Sequence, residues 1–217
     1  MDRFHILNIV AHVVAGTTAL AIGLMMMGKA KGTPAHRRWG AIFCGVFGVV
    51  VATAIIGFLF FRTDIGLGSV TALVAYLLLS GRRALVLRGR RPDVFDIALS
   101  ATALVVGAGL IVVVARGSGV MWKPAVVGPI AGALVFWGAI DMARLVTPSG
   151  WSARIWRLEH AVKLMSAVGG LASAGAGTLF PDAKPWSQVG PSIGFSLWIV
   201  VYLAVYGRRH LRPRPAP

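Results

Sequence analysis

A chain this apolar keeps few side chains capable of chemistry, and their positions are informative. His12, His36, Asp141 and His160 are the candidate ligand or ion-binding groups. Arg37, Arg38, Arg157 and Lys163 are the candidate anion or headgroup-binding groups. Imidazoles ligate metal and pass protons near neutral pH, and an intramembrane carboxylate marks an ion or proton pathway. His36 lies in "GTPAHRRWGAIF", where Thr33 suits an N-cap and Pro34 the first helical position, so His36 falls in the first turn of a helix. His160, in "RLEHAVKLMSA", enters from the same side, and Asp141, in "FWGAIDMARL", lies near that depth. A pocket of His36, Asp141 and His160, continued outward by His12, is predicted to handle a small ligand, a metal ion or a proton. His36 and His160 are its candidate metal ligands. Arg157, His160 and Lys163 repeat every third residue and form a stripe suited to a phosphate, a haem propionate or a lipid headgroup.

Each group also has a plainer role. His36, Arg37 and Arg38 read as a charge fence at a membrane surface. Asp141 can pair with Arg144. Glu159 can pair with Lys163 four positions on, or accept a hydrogen bond from His160. His12 can bond a hydroxyl or a carbonyl of a neighbouring helix. The chain contains no GxxxxGK[ST], GxSxG or HExxH segment and no Ser-His-Asp order. No catalytic residue is therefore assigned; whether the chain is an enzyme stays open, with a non-enzyme the favoured reading.

The elements that must hold these groups follow from composition. Of 217 residues 57% are hydrophobic and 13% charged, against about 25% charged in ordinary soluble domains. Mean hydropathy is +0.77. The apolar runs reach the roughly 20 residues a spanning helix needs. An all-α polytopic bundle of seven spans is predicted, because open strands cannot satisfy their backbone in lipid. The spans are Ile6 to Met27, Trp39 to Phe61, Ile65 to Gly81 (the weakest), Val94 to Ala115, Ala125 to Val146, His160 to Phe180 and Gln188 to Gly207. Residues 1–207 form one transmembrane domain, and 208–217 a basic, Pro-rich tail predicted to be disordered. The first run is too long, and its flank too weakly basic, for a cleaved signal.

The net charge of +15 would suggest nucleic acid in a soluble protein. Here the cations lie between spans, so orientation and anionic headgroups account for them, and no nucleic-acid partner is predicted. Lysines and arginines gather at 29–38, 82–91, 144–163 and 208–214, in every second turn and so on one side of the spans. That pattern puts the N-terminus outside and the C-terminus in the cytoplasm of a bacterial inner membrane. Cys44 is the only cysteine, so no internal disulfide forms. Gly40, Cys44 and Gly48, and again Gly169, Ser173 and Gly177, recur every fourth residue and are predicted helix contacts.

Through "AHVVAGTTALAIG", "KGTPAHRRWGAIF", "YLLLSGRRAL" and "RLEHAVKLMSA" the chain resembles a bacterial family of small polytopic membrane proteins of unknown function. On that resemblance His12, His36, Arg37, Gly40 and His160 match recurring positions, and no activity is implied. A looser similarity to membrane cytochromes b implies haem b between His36 and His160. The expected function is thus ligand, metal-ion or proton handling. The alternatives are a haem b redox protein and a non-catalytic subunit that packs beside a membrane-protein partner or its own copy.

Overall fold

The structure is a computed structural model that describes residues 3–61, 63–117 and 124–207. The proposed tail, 208–217, lies outside the described residues. Among the described residues there are seven α-helices: α1 (Arg3–Gly28), α2 (Pro34–Ile56), α3 (Ile65–Leu87), α4 (Val94–Ala115), α5 (Pro124–Ala143), α6 (Ser149–Leu179) and α7 (Trp186–Tyr202). No strand occurs among the described residues. A π-helical turn, Gly57–Phe61, extends α2, and another, Leu203–Gly207, extends α7.

Six of the helices are long and apolar enough to cross a membrane. The exception is α6, whose first half carries Arg154, Arg157, Glu159 and Lys163. It starts 11 positions before the predicted His160. The charged turns that read as a loop are helical.

The bundle is built from close pairs. Helices α1 and α2 form one hairpin, α4 and α5 another, and α3 packs on α6, which also carries α7 on its outer side. Small residues set these approaches. A Cβ on Gly107 of α4 would lie 2.8 Å from Val135 of α5, and one on Gly138 of α5 would lie 3.1 Å from the Ser100 carbonyl of α4. Gly23 of α1 faces Val168 of α6. Gly169 and Gly177 of α6 face Phe195 and Gln188 of α7, and Ser173 bonds Ser192 at 2.7 Å. The α2 stripe differs from expectation. A Cβ on Gly48 would meet nothing within 4 Å, and Gly40 approaches only the Met26 methyl. Cys44 is half-buried. Phe43, Phe47, Val50 and Thr53 make the buried face of α2 instead.

The third span, the weakest on sequence, is the most enclosed: half of its apolar window is buried within the bundle. Its Ser69, Thr71, Tyr76 and Ser80 are buried among neighbouring helices rather than in lipid. By contrast α7 buries no residue between Trp186 and Tyr202. Large apolar side chains such as Val105, Phe136 and Leu197 point out of the bundle, as they do where lipid is the solvent.

The basic turns share one end. Gly89, in the α3–α4 turn, has a φ of +87° and lies against α6, where a Cβ would fall 2.3 Å from the Ala153 Cα. Only glycine fits there. The contact fastens the α3–α4 turn to the start of α6.

Candidate functional site

At that same end, four helices bring seven charged side chains together. Lys163 of α6 is the centre, with no exposed surface. It is seated by a close crossing of α3 and α6. A Cβ on Gly81 would lie 3.1 Å from Lys163 Cβ and 2.9 Å from Leu164 Cδ2. The missing side chain at Gly81 lets α6 approach and turns Lys163 toward α5.

The ammonium of Lys163 spends all three protons. It donates to Asp141 Oδ1 at 2.6 Å, Asp141 Oδ2 at 2.7 Å and Glu159 Oε1 at 2.8 Å. It also lies 5.8 Å from the centre of the Trp137 ring, one helical turn before Asp141 on α5. The Tyr76 hydroxyl of α3 donates to Asp141 Oδ2. Asp141 is thus saturated, its carboxylate held from α3 and α6.

Glu159 is not saturated. Its Oε1 accepts from both Lys163 and Arg144 Nη1, the latter at 2.9 Å, while its Oε2 is buried without a partner. Arg144, just beyond the last turn of α5, is itself buried, and its Nε and Nη2 have no acceptor. Native structures leave few buried polar atoms unpaired. Three such atoms within one ion pair mark the place where this network is unfinished.

A second ionic group adjoins the first. Asp93 caps α4 and forms a capping box with Asp96. Arg83 of α3 reaches both oxygens of Asp96 at 2.7 Å and Asp93 Oδ2 at 2.6 Å. Its guanidinium lies 5.5 Å from the Phe95 ring centre. Between the two groups is a pocket of about 10 Å³, bounded by Ser80, Arg83, Asp96, Ser100, Arg144 and Glu159 among others. That is close to the space one water needs, roughly 10–15 Å³.

Of the residues singled out on sequence, Asp141 and Lys163 meet here. The histidines do not join them. His160, one turn from Lys163, turns to α3 and donates from Nδ1 to the Gly81 carbonyl at 2.9 Å. His36, in the first turn of α2, is near enough to act on His160 electrostatically, and its own Nδ1 is buried without a partner. The two imidazoles thus share a neighbourhood on another face of α6. His12 is at the opposite end of the bundle, its Nδ1 2.9 Å from Thr53 Oγ1. That hydroxyl donates to the Val49 carbonyl at 2.8 Å, so it accepts from His12. Arg37 and Arg38 are exposed, and Arg157 stacks on its neighbour Trp156 with 5.0 Å to the ring centre.

The local pairings expected on sequence are half replaced. Glu159 and Lys163 do pair at i,i+4, but Asp141 takes Lys163 rather than Arg144, and Arg144 takes Glu159. Tyr76, Arg83, Asp96, Arg144 and Glu159 were not among the candidate site residues. The signal for two of them was a pair of carboxylate–base doublets, Asp141/Arg144 and Glu159/Lys163, on successive helices. Tyr76 left none beyond a hydroxyl in an apolar run. Among the described residues, no group of three or more His, Cys, Asp or Glu is placed to hold a metal ion. Comparison with protein-family models, with curated proteins and with solved structures finds no match for this chain.

Proposed function

We propose that this multi-pass membrane protein takes up and releases a proton at the Tyr76–Asp141–Lys163–Glu159–Arg144 network, near the cytoplasmic face of a bacterial inner membrane. In this reading α6 crosses as a seventh span through its apolar second half. The alternation of basic turns puts the N-terminus outside. The gathering of the α3–α4 turn and the start of α6 at one end supports that orientation.

One observation carries the reading: a fully buried ammonium held by two carboxylates, one of which keeps an unspent buried oxygen. Ionised groups in a low-dielectric interior cost several kcal/mol each to desolvate, and apolar replacements are often as stable. A network bought at that cost and left with a free acceptor is better suited to exchanging a proton than to bracing helices. Asp141, saturated by three hydrogen bonds from Lys163 and Tyr76, anchors Lys163, and Glu159 Oε2 is the proton acceptor.

Infrared difference spectra of the purified protein between two pH values test this. A protonated-carboxyl C=O band is expected in wild type and in Asp141→Asn, and its loss in Glu159→Gln. No such band in wild type would leave the network a structural brace, as in an accessory subunit.

A second reading draws on the histidine pair. His160 donates its Nδ1 proton to a carbonyl, the arrangement that orients metal-ligating imidazoles through Nε2. A haem b or metal held by His36 and His160 would show as a Soret band or as bound metal lost in His160→Ala. A haem-replete preparation with neither feature would remove it.

A further inference from the structure

The geometry points to a small-carboxylate site: the Nε/Nη2 edge of Arg144 binds a carboxylate in the pocket between α3, α4, α5 and α6, and Glu159 Oε2 takes the proton that comes with it. This rests on the proton-handling reading above and names the solute to which the proton is coupled.

Arg144 is nine-tenths buried, at 8% exposure. Its Nη1 is committed to Glu159 Oε1 at 2.9 Å. The two nitrogens left over, Nε and Nη2, are those whose N–H bonds run parallel along one edge of a guanidinium. That edge matches the two oxygens of a carboxylate, which is the reason arginine rather than lysine serves such sites. Here the edge is buried and empty, in a residue that bounds the pocket. A spherical anion gains nothing from two parallel donors, whereas a planar carboxylate uses both.

Charge sets the second half of the inference. The two adjoining groups together hold three cations, Arg83, Arg144 and Lys163, against four carboxylates, Asp93, Asp96, Asp141 and Glu159. An anion arriving alone would add to a negative excess. Glu159 Oε2, buried and unpartnered on the carboxylate that holds Arg144, is the place for a compensating proton. A carboxylic acid RCOOH therefore leaves its proton on Glu159 Oε2 and its carboxylate on Arg144, and the total charge is unchanged. Size restricts the class. The pocket's about 10 Å³ is the room of one water, so even a one- or two-carbon acid enters only as Arg83, the partly exposed cation at the rim, swings outward and widens it.

The test uses the full chain in detergent and in lipid nanodiscs. Thermal unfolding and calorimetry are run with sodium formate, acetate, chloride and inorganic phosphate at matched ionic strength, and proton uptake is followed with a pH dye in weak buffer. Formate and acetate are expected to stabilise saturably, with about one proton taken up per anion bound, and chloride and phosphate to do neither. Arg144→Lys, which keeps the charge but not the fork, is expected to weaken acetate at least ten-fold. Glu159→Gln is expected to bind acetate without proton uptake. Should Arg144→Lys fail to fold, Ser80→Thr adds one methyl to the pocket wall and removes no ion-pair partner, and it is expected to abolish the acetate response. Absence of a saturable carboxylate effect in wild type, equal effects of chloride and formate, or an acetate response surviving in Ser80→Thr would each overturn the inference. A Glu159 carboxyl band that appears without any added acid, alongside no carboxylate effect, would retain the proton reading and discard the carboxylate.

Discussion

Lys163 lies against the bare α-carbon of Gly81, and the carbonyl of that same glycine holds His160 one helical turn earlier. One residue of α3 thus orients two faces of α6. It lets the ammonium turn toward α5 and accepts the imidazole's Nδ1 proton itself. The crossing should be intolerant of added volume. Gly81→Ala places a Cβ 2.9 Å from Leu164 and 3.1 Å from Lys163 Cβ, and overpacking of this kind costs about 1–3 kcal/mol. A lowered unfolding midpoint in detergent is expected. Gly48→Ala, which meets nothing within 4 Å, should leave the midpoint nearly unchanged.

Gly89 should be stricter still. Its φ of +87° disfavours any side chain, and a Cβ would lie 2.3 Å from the Ala153 backbone. Gly89→Ala is expected to detach the α3–α4 turn from α6. Hydrogen exchange at residues 86–93 and 150–156 would rise together if so.

The ionic network predicts strong non-additivity. Removing one partner of a buried pair leaves a charge uncompensated and costs about 3–5 kcal/mol. Lys163→Met and Asp141→Asn are each expected to destabilise by that order. The double variant should cost far less than the two together, because the uncompensated charge disappears with its partner. Additive losses in a double-mutant cycle would mean that the two side chains act separately, contrary to their 2.6 Å contact.

Much of this architecture was legible in the sequence, and the losses have physical causes. The apolar runs pick out the six helices long and apolar enough to span because lipid demands length and hydropathy directly. The start of α6 was missed because Arg154, Arg157 and Glu159 look like the flank of a span. Helix continues through them because the α3–α4 turn packs beneath. Asp141 and Lys163 stood out singly, as charges in apolar surroundings. Their pairing did not, because it depends on where α3 crosses α6, and a glycine among 27 glycines does not announce that crossing. Arg144 looked like a partner for Asp141 three positions back, yet it follows the last turn of α5 and reaches Glu159 instead. The histidines were expected to join the carboxylate because depth along the membrane can be read from sequence. The face of α6 to which a side chain turns cannot.

The polar seam at the other end of the bundle offers an independent check on the site's boundaries. His12 Nδ1 donates to Thr53 Oγ1, and Asn8 donates to the Thr53 carbonyl at 3.1 Å. Thr53→Val removes the acceptor of His12 while keeping shape, and a half-buried donor left unpaired costs about 1–3 kcal/mol. The variant should unfold at lower temperature. Its Glu159 carboxyl band should match wild type, because His12 shares no partner with the ionic network. A changed band would mean that α1 and α2 transmit to Glu159, and the proton site would then extend across the bundle.

The orientation can be read by chemical labelling, since Cys44 is the one thiol. In a Cys44→Ala background, single cysteines at Lys29, Arg90 and Arg154, all exposed, are expected to resist a membrane-impermeant maleimide added to intact cells and to react after lysis. Cysteines at Thr63 and Lys184, exposed in the opposite turns, should react in intact cells. Thr63 and Lys184 flank α3 and α6 on the side away from the ionic network, so together they decide whether α6 spans. If Lys184 labelled only after lysis while Thr63 labelled at once, α6 would not cross. Glu159 and Lys163 would then belong to a helix that enters and leaves by one face. The proton would reach the network from the cytoplasm but find no transmembrane helix to carry its effect outward.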